Sequence, residues 1–471
     1  MNASPSSIPL VVDVDGTLVR GDLLHEATLQ LLATNPLQAW RIIPWLARGK
    51  AALKEELSAR IDPGLDLVPL RQEVLDRVEE ARQEGRPVVL ASASPRRWIE
   101  PLAQRIGGAD VMASDESTNL AGEAKRSALV KRFGEGGFDY IGDSPADIPV
   151  WSSARRKLVI GNGRGIENKV DGAMAIVQDR PSSKHYLRAL RPHQWAKNLL
   201  LFLPLVAGHE FFDPKAILAS LIAFIAFSVV ASSAYIINDL LDLPSDRDHP
   251  EKCNRPFATG AVSPLRGIGM SICLIGIGVL ISLLLPQPFT AVLGIYLALT
   301  LGYSFVLKRQ VMIDIIALGG LYTIRVFAGV VALEQTQSTW LFMFSLFLFL
   351  SLAAIKRCTE LVARREAGKA NPPGRGYRIE DIHALFPLAA AAGYGAVLVV
   401  ALYLSSPDIM VLYSYPERMW LICPILLYWV SRIIVIASRN ELHHDPLIFA
   451  LTDKVSWMVV GLAGLVILVA I

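Results

Sequence analysis

Three polar side chains stand at intervals of four in the run Asn238-Asp239-Leu-Leu-Asp242-Leu-Pro-Ser-Asp246, and two cations, Lys252 and Arg255, follow shortly after. On a helix, Asn238, Asp242 and Asp246 project from one face. The run closes a long apolar segment, where unpaired acids are costly and a bound divalent cation neutralises them. Hard Mg2+ prefers carboxylate oxygens and is often shared with a substrate diphosphate. Lys252 and Arg255 suit the remaining phosphate charge. A solvated acidic loop with local caps is the plainer alternative. A second collection lies near the N-terminus. The apolar run Pro9-Leu-Val-Val ends in Asp13, Asp15 and a turn glycine, Gly16, and the run Pro87–Ala91 ends in Ser92 and Ser94. Lys125 follows Ala-Gly-Glu-Ala, and Tyr140-Ile-Gly142 leads into Asp143 and Asp147. In an open parallel α/β sheet ligands sit at the carboxyl ends of strands, so these side chains can converge.

The elements that must position these groups are of two kinds. The chain has 471 residues, 52% hydrophobic and 19% charged, with a mean hydropathy of +0.41. That composition excludes a disordered chain, a disulfide scaffold and a soluble enzyme of ordinary make-up. Up to about Arg180 charges are spread throughout, as in a soluble domain, whereas Trp195 to Ile471 is a series of long apolar blocks. The expected division is a soluble α/β domain over 1–180, a polar linker over 181–194 and an all-α transmembrane bundle over 195–471. Apolar segments near 199–212, 215–237, 267–285, 289–307, 312–333, 340–355, 385–404, 419–436 and 455–471 suggest nine spans, or eight if the short first one does not cross. Lys and Arg concentrate in alternate loops, around 247–266, 308–309, 356–378 and 439–454, which places those loops and the N-terminus in the cytoplasm. Met1 to Pro9 has no charged stretch of the signal-peptide kind. Cys253, Cys273, Cys358 and Cys423 form no CxxC pair and read as free thiols. A net charge of +3 does not indicate nucleic acid as a partner.

The motif NDxxDxxxD at 238–246 resembles the first motif of the UbiA superfamily of intramembrane prenyltransferases, and the resemblance covers roughly 190 to 471. It implies a helical bundle around a central cavity with Mg2+ and a diphosphate at its cytoplasmic mouth, held by Asn238, Asp242 and Asp246. Ordinary members carry a second acidic DxxxD motif after the sixth span. Here that loop begins Lys356-Arg357-Cys-Thr-Glu360 and contains no DxxxD. In this respect the chain resembles the decaprenyl-phosphate phosphoribosyltransferase branch, as it does in Arg191-Pro-His-Gln-Trp195-Ala-Lys197-Asn198, in the Asp-His-Pro-x-Lys-x-x-Arg-Pro tail, and in Tyr303, Lys308 and Asp314. The branch implies phosphoribosyl pyrophosphate as donor and a polyprenyl phosphate as acceptor. Three phosphate-bearing groups need cations beyond Mg2+, and Lys197, Lys252, Arg255, Lys308, Lys356 and Arg357 meet that need, with Tyr303 beside them. Arg325 lies well inside the fifth span, about three turns beyond Asp314, and serves either an ion pair or a ligand path. Asp445 and Asp453 read as helix caps.

The N-terminal set, DxDGT, then Ser, Lys and GDxxxD, resembles the haloacid dehalogenase superfamily over about 8 to 180. The resemblance implies a Rossmann-like parallel sheet with an inserted helical cap at about 20–85, and Mg2+-dependent phosphatase chemistry. By it, Asp13 is the nucleophile and Asp15 the general acid/base, while Ser92 and Lys125 hold phosphoryl oxygens. Asp143 is a metal ligand, Asp147 contributes beside it, and Asp13 and Asp15 complete the metal's surroundings. Within the cap, Trp40, Ile42, Ile43, Trp45 and Leu46 are expected to pack in the core rather than rest on a membrane. Together the two resemblances imply a multi-pass enzyme of the cytoplasmic membrane that moves 5-phosphoribose to a polyprenyl phosphate. A fused phosphatase would then remove the product's 5-phosphate. An aromatic prenyltransferase, or a lipid-binding or transport protein with a regulatory phosphatase-like domain, are the alternatives.

Overall fold

The computed structural model describes residues 8–115, 119–161, 165–178, 182–372, 375–407, 409, 413–442 and 445–470. Met1 to Ser7, the last two residues of the expected soluble domain, Asp179 and Arg180, and the first of the expected linker, Pro181, lie outside the described residues. The chain divides into two compact units: Met1–Leu190 with Tyr235–Met270, and Arg191–Ala234 with Ser271–Ile471. The acidic loop after the first long apolar helix thus belongs with the N-terminal domain, a grouping that linear domain boundaries do not suggest.

The first unit is built on six parallel strands, β1 (Leu10–Val12), β2 (Val88–Pro95), β3 (Asp110–Ser114), β4 (Asp139–Gly142), β5 (Lys157–Gly161) and β6 (Ala173–Gln178), in the order β3-β2-β1-β4-β5-β6. Val11 sits in register between Val89 and Tyr140. Alternate side chains enter opposite faces. Leu10 and Val12 join one core with Val88, Leu90 and Ile141, and Val11 joins another with Val89, Tyr140 and Val159. Because both faces are covered, the central strands read as continuous apolar runs. Helices α1 (Leu23–Thr34), α2 (Ile42–Ala47), α3 (Lys50–Ser58) and α4 (Gln72–Gln83) fill the region expected to be a helical cap. They are followed by α5 (Arg96–Arg105), α6 (Glu123–Phe133), α7 (Ile148–Ser153) and α8 (Ser183–Leu190). Trp45 is buried and Ile42 packs against the core. Their neighbours do not follow the expectation of core packing: Trp40, Ile43 and Leu46 are 63%, 73% and 51% exposed. The element is too short to turn every apolar side chain inward.

In the second unit a 3-10 helix, Pro192–Phe202, runs into α9 (Leu203–Ala207). The long helix α10 (Pro214–Leu241) passes into the first unit at Tyr235, where α11 (Leu243–Arg247) and the start of α12 (Pro264–Ser282) also lie. Then come α13 (Gln287–Phe305), α14 (Ile313–Ala332), α15 (Thr339–Glu366), α16 (Ile382–Leu404), α17 (Ile422–Ser438), α18 (Pro446–Thr452) and α19 (Lys454–Ala470). Among the described residues seven helices are long and apolar enough to cross a membrane, and α18 with α19, bent by 75°, form an eighth candidate. The ninth expected span, 199–212, is no such helix, because Pro204 and the 3-10 geometry leave only five α-helical residues there. Burial singles out α14, 72% of whose apolar window is buried; a helix apolar on every face belongs at the centre of a bundle. Ile315, Leu318, Tyr322 and Val326 of α14 share a core with α15, α16 and α17.

Candidate active sites

At the carboxyl ends of β1, β2 and β4 the strand-end motifs do converge. Asp13 is fixed by its backbone N–H, which donates to Ile141 O at 2.9 Å. Lys125, reaching in from α6, donates to Asp13 Oδ1 at 2.7 Å and to Asp147 Oδ1 at 3.4 Å. The Tyr140 hydroxyl donates to Asp147 Oδ1 at 2.6 Å and accepts from Lys125 at 3.0 Å. Thr17 Oγ1 lies 3.4 Å from both Asp13 Oδ2 and Asp143 Oδ1. Asp13, Asp143 and Asp147 each offer an oxygen within 4.8 Å of the others, a donor set that suits a hard divalent cation. Two glycines make the approach possible. Gly16 has φ +81°, and a Cβ there would stand 2.6 Å from Asp143 Oδ2; one on Gly142 would stand 2.9 Å from Asp147.

Crowding and burial set the electrostatics. Burial pushes the Asp13 carboxyl up to about 7; the charge of Lys125 opposes this, and Asp147 and Asp15 add to it. Asp143 is pushed up to about 8 by burial and by Asp13 and Asp147. For Lys125 burial favours the neutral amine, but the charges of Asp13 and Asp147 outweigh it and raise the group. Two buried carboxylates on Lys125, with the partly buried Asp143 beside them, hold negative charge that a metal would stabilise.

Asp15 occupies a separate niche, accepting from Leu23 N–H at 2.9 Å and from the Ser94 hydroxyl at 2.6 Å, with Lys54 Nζ 3.8 Å away. Its carboxylate is outside the Asp13–Asp143–Asp147 group. Ser92 Oγ is fully buried and accepts from Ser94 N–H at 3.0 Å. Arg71 braces the loop from behind, donating to the carbonyls of Thr17 and Gly16 at 3.1 Å each. Lys54, Arg71 and Tyr140 had no signal of their own: Lys54 is one cation on a charged helix, and only the fold brings it to Asp15.

In the loop of the first unit the four-residue spacing is helical, as expected. Asp242 N–H donates to Asn238 O at 3.0 Å and Asp246 N–H to Asp242 O at 2.8 Å. Asn238 also donates to Asp242 Oδ2 at 3.0 Å. Asp246 is buried and shares Arg255 with Asp239, at 2.5 and 3.2 Å. Burial raises Asp246 even though Arg255 and Lys252 pull it down. Asp239, Asp242 and Asp246 do not form a three-carboxylate group of the Asp13 kind among the described residues, although the oxygen-only donors are of the type Mg2+ takes. Lys252 lies on the turn Lys252–Asn254.

The second unit carries the basic groups. Asp445 accepts from Lys197 at 2.9 Å, from Lys356 at 2.7 Å and from the Tyr322 hydroxyl at 3.1 Å. It also caps α18 by accepting from Leu447 N–H, so the capping role is real but incomplete. Burial would raise this carboxyl, but the charges of Lys356 and Lys197 hold it well below the usual range. Asp453, the other expected cap, accepts from Ser456 N–H and pairs with Arg432. Asp314 accepts from Arg357 at 2.5 Å and from the Tyr303 hydroxyl at 2.8 Å, with Arg375 3.5 Å away. Arg357 and Arg375 also meet Glu360, at 2.5 and 3.0 Å. Lys308 sits on the adjoining turn Leu307–Arg309. Arg325 is buried and donates to Asn198 Oδ1 at 2.8 Å, to the Tyr296 hydroxyl at 3.0 Å and to Leu321 O. It therefore does not pair with Asp314.

Comparison with known proteins agrees with both halves. The haloacid dehalogenase-like hydrolase model matches residues 10–152, and the UbiA prenyltransferase family model matches 199–468. The Sinorhizobium fredii protein y4nM is 36% identical over 459 residues, 96% of this chain and 89% of that protein. Nodulation protein NoeC of Azorhizobium caulinodans is 36% identical over 60% of this chain and 92% of its own length. The decaprenyl-phosphate phosphoribosyltransferase of Corynebacterium glutamicum is 37% identical over 39% of this chain and 56% of that protein, so the match spans little more than half of it. Among solved structures, a UbiA homolog from Archaeoglobus fulgidus bound to DMAPP and Mg2+ is 18% identical over 60% of this chain and 99% of that one, with a TM-score of 0.46. The chain belongs to the UbiA prenyltransferase family as a multi-pass membrane protein with a haloacid dehalogenase-like domain fused ahead of the transferase.

Proposed function

We propose that the membrane domain transfers 5-phosphoribose from phosphoribosyl pyrophosphate to a polyprenyl phosphate, and that the fused domain removes the 5-phosphate of the product. The observation that carries this reading is the basic cluster of the second unit, where Lys197, Lys356, Arg357 and Arg375 meet the three carboxylates of Asp445, Asp314 and Glu360, an excess of one cation at Asp445. Lys197 and Lys356 share Asp445, and Arg357 with Arg375 brackets Asp314 and Glu360. Allylic-diphosphate enzymes would be expected to place a second acidic cluster there. Basic groups suit a reaction with phosphates on both substrates. Similarity to decaprenyl-phosphate phosphoribosyltransferases supports the same branch.

In the transfer the C1–O bond to pyrophosphate breaks, and a lipid phosphate oxygen forms the new bond to C1. Lys197, Lys356 and Arg357 orient phosphate oxygens and offset their charge, and no covalent enzyme intermediate is required. In the phosphatase, Asp13 attacks phosphorus while the ester oxygen leaves with a proton from Asp15. Water then cleaves the aspartyl phosphate after giving its proton to Asp15. Lys125 holds Asp13 and screens the transferred oxygens. Mg2+, held by Asp13, Asp143 and Asp147 in one site and by Asn238, Asp242 and Asp246 in the other, would supply charge neutralisation.

Both sites lie in the cytoplasm on this reading. The Lys- and Arg-rich loops around 247–266, 308–309, 356–378 and 439–454 support that side for the acidic loop. The test uses the full chain in nanodiscs with Mg2+, phosphoribosyl pyrophosphate and polyprenyl phosphate, following pyrophosphate and lipid product by mass. A phosphoribosyl lipid that fails to form in Asp242→Asn is expected. Transfer only from allylic diphosphates overturns the reading.

A further inference from the structure

The first unit contains a buried charge pair that neither reaction uses. Arg247, the last residue of α11 and the neighbour of Asp246, donates through Nη1 to Glu26 Oε2 at 2.8 Å and through Nη2 to Glu26 Oε1 at 2.9 Å. Both side chains are almost wholly enclosed, 5% and 4% exposed. Two parallel hydrogen bonds between a planar guanidinium and a carboxylate fix orientation as well as distance. The third donor of Arg247, Nε, reaches Ala258 O at 3.1 Å, so one side chain ties both arms of the acidic loop to α1. Further contacts lie beside the pair. A Cβ on Gly64 would meet the Pro244 Cβ at 3.5 Å, and one on Gly260 would meet the Arg20 Cβ at 2.7 Å and the Pro69 Cγ at 3.2 Å. The contacts come from Arg20 just ahead of α1, from α1 itself and from the chain after α3, all within the phosphatase-like domain.

Position along α1 gives the pair its meaning. Asp15 accepts from Leu23 N–H at the first turn of α1, and Glu26 is one turn further on. On the other side, Asp246 adjoins Arg247 and is held by Arg255 together with Asp239. A short line of direct contacts therefore runs from the phosphatase acid/base to the acids of the NDxxDxxxD loop. A surface tether would leave that loop to order itself; a buried, bidentate and multiply braced contact does not.

We propose that Glu26 and Arg247 form a bolt through which the phosphatase-like domain positions the acidic loop, so that this domain is a working part of the transferase site and not only a second enzyme on a linker. The inference rests on the reading of that loop as the diphosphate-binding loop of the transferase. Glu26 and Arg247 are positioning residues: they act through Asp246 and do not touch substrate.

The experiment uses the full chain in nanodiscs and has three readouts. First, Gly64→Cys with Pro244→Cys places two Cβ atoms at a separation compatible with a disulfide; oxidation is expected to give that cross-linked peptide by mass spectrometry, and failure to cross-link in folded protein overturns the docking. Second, amide exchange over residues 242–258 is expected to speed up at least tenfold in Glu26→Ala and Arg247→Ala, with the double variant no faster than the faster single one. Unchanged exchange overturns the bolt. Third, Glu26→Ala is expected to raise the KM for phosphoribosyl pyrophosphate and the Mg2+ requirement about tenfold, while hydrolysis of p-nitrophenyl phosphate stays within twofold and reports a folded domain. An unchanged KM overturns the positioning role. If wild type makes no phosphoribosyl lipid, the functional reading fails, and the first two readouts still decide the bolt.

Discussion

The two charge clusters of this molecule are built with opposite signs. At the strand ends, Asp13, Asp143 and Asp147 form one group in which Lys125 pairs with Asp13 and Asp147, and Asp13 and Asp143 are pushed up in pKa. In the second unit two lysines crowd around the single carboxylate of Asp445, which is pushed down. Each cluster is short of one kind of charge. A surplus of enclosed carboxylates calls for a cation, and a surplus of ammonium groups calls for an anion. On the proposed function, the first cluster suits the metal of the phosphatase and the second suits phosphate oxygens of the transferase substrates.

The largest effect expected from breaking this contrast is at Asp13. Asp13→Asn removes the attacking oxygen and one metal donor, and should lower ester hydrolysis by on the order of 10^3-fold or more. The measurement is phosphate release from a small ester by the full chain. Chelation with EDTA should give a similar loss in wild type, and Mg2+ should restore it. Retained hydrolysis in Asp13→Asn would move the nucleophile elsewhere.

The basic cluster sharpens the comparison through a pair of variants with opposite outcomes. Lys356→Ala removes a phosphate partner and should weaken inhibition of transfer by added pyrophosphate by roughly 10- to 100-fold, about 1.4 kcal/mol per tenfold. Asp445→Asn frees two lysines from their carboxylate and should strengthen that inhibition. If both variants weaken it equally, Asp445 belongs to the binding site as a ligand and not as a stand-in for the anion.

A smaller effect tests how closely the acids must approach. Gly16→Ala places a methyl against Asp143 Oδ2 at a φ of +81°, where an L-residue is strained. The Mg2+ concentration for half-maximal hydrolysis should rise about tenfold, with the sheet intact by circular dichroism. An unchanged Mg2+ requirement would mean that Asp143 has room to shift.

What the sequence displays and what it hides follow from the same geometry. Asp13, Asp143 and Asp147 are legible because they follow short apolar runs whose ends parallel strands bring together, whereas Lys125, on a helix, is legible only through its place in the order of the haloacid dehalogenase-like motifs. The spacing of Asn238, Asp242 and Asp246 is legible because a helix repeats about every four residues. Lys54, Tyr140 and Asp445 are hidden because their partners lie 39 or 40 residues away for Lys54, 7 and 15 for Tyr140, and 248 and 89 for Asp445. No local period links them. The first apolar segment misleads for a different reason: hydropathy reports composition, while Pro204 and the 3-10 turn decide the helix. Trp40, Ile43 and Leu46 show the same limit, since apolar spacing alone does not say which side chains find a core.

The smallest expected effect lies on β4 itself, where the two signs of the molecule meet within one strand. Asp143, just past the carboxyl end, is raised, whereas Asp139 at the amino end is clamped by Arg86 and Arg155. Burial alone would raise Asp139, but the hydrogen bond from Arg155 and the charges of Arg86 and Arg155 outweigh it, and its pKa is lowered. A carboxyl whose folded value lies below its unfolded one contributes stability that is fully present above the unfolded pKa, about 3.9. That contribution disappears as pH falls through the folded value. Asp139→Asn removes the charge and one of the two acceptor oxygens that the arginines use, so the loss near neutral pH should be at least about 1 kcal/mol, or about 2–4 °C in the melting temperature of the phosphatase-like domain. The gap between wild type and Asp139→Asn, followed by thermal unfolding from pH 7 to pH 3, should hold constant down to about pH 5 and close below about pH 4. A gap that widens in acid would mean that the arginines hold Asp139 in its neutral form, and the contrast along β4 would be lost.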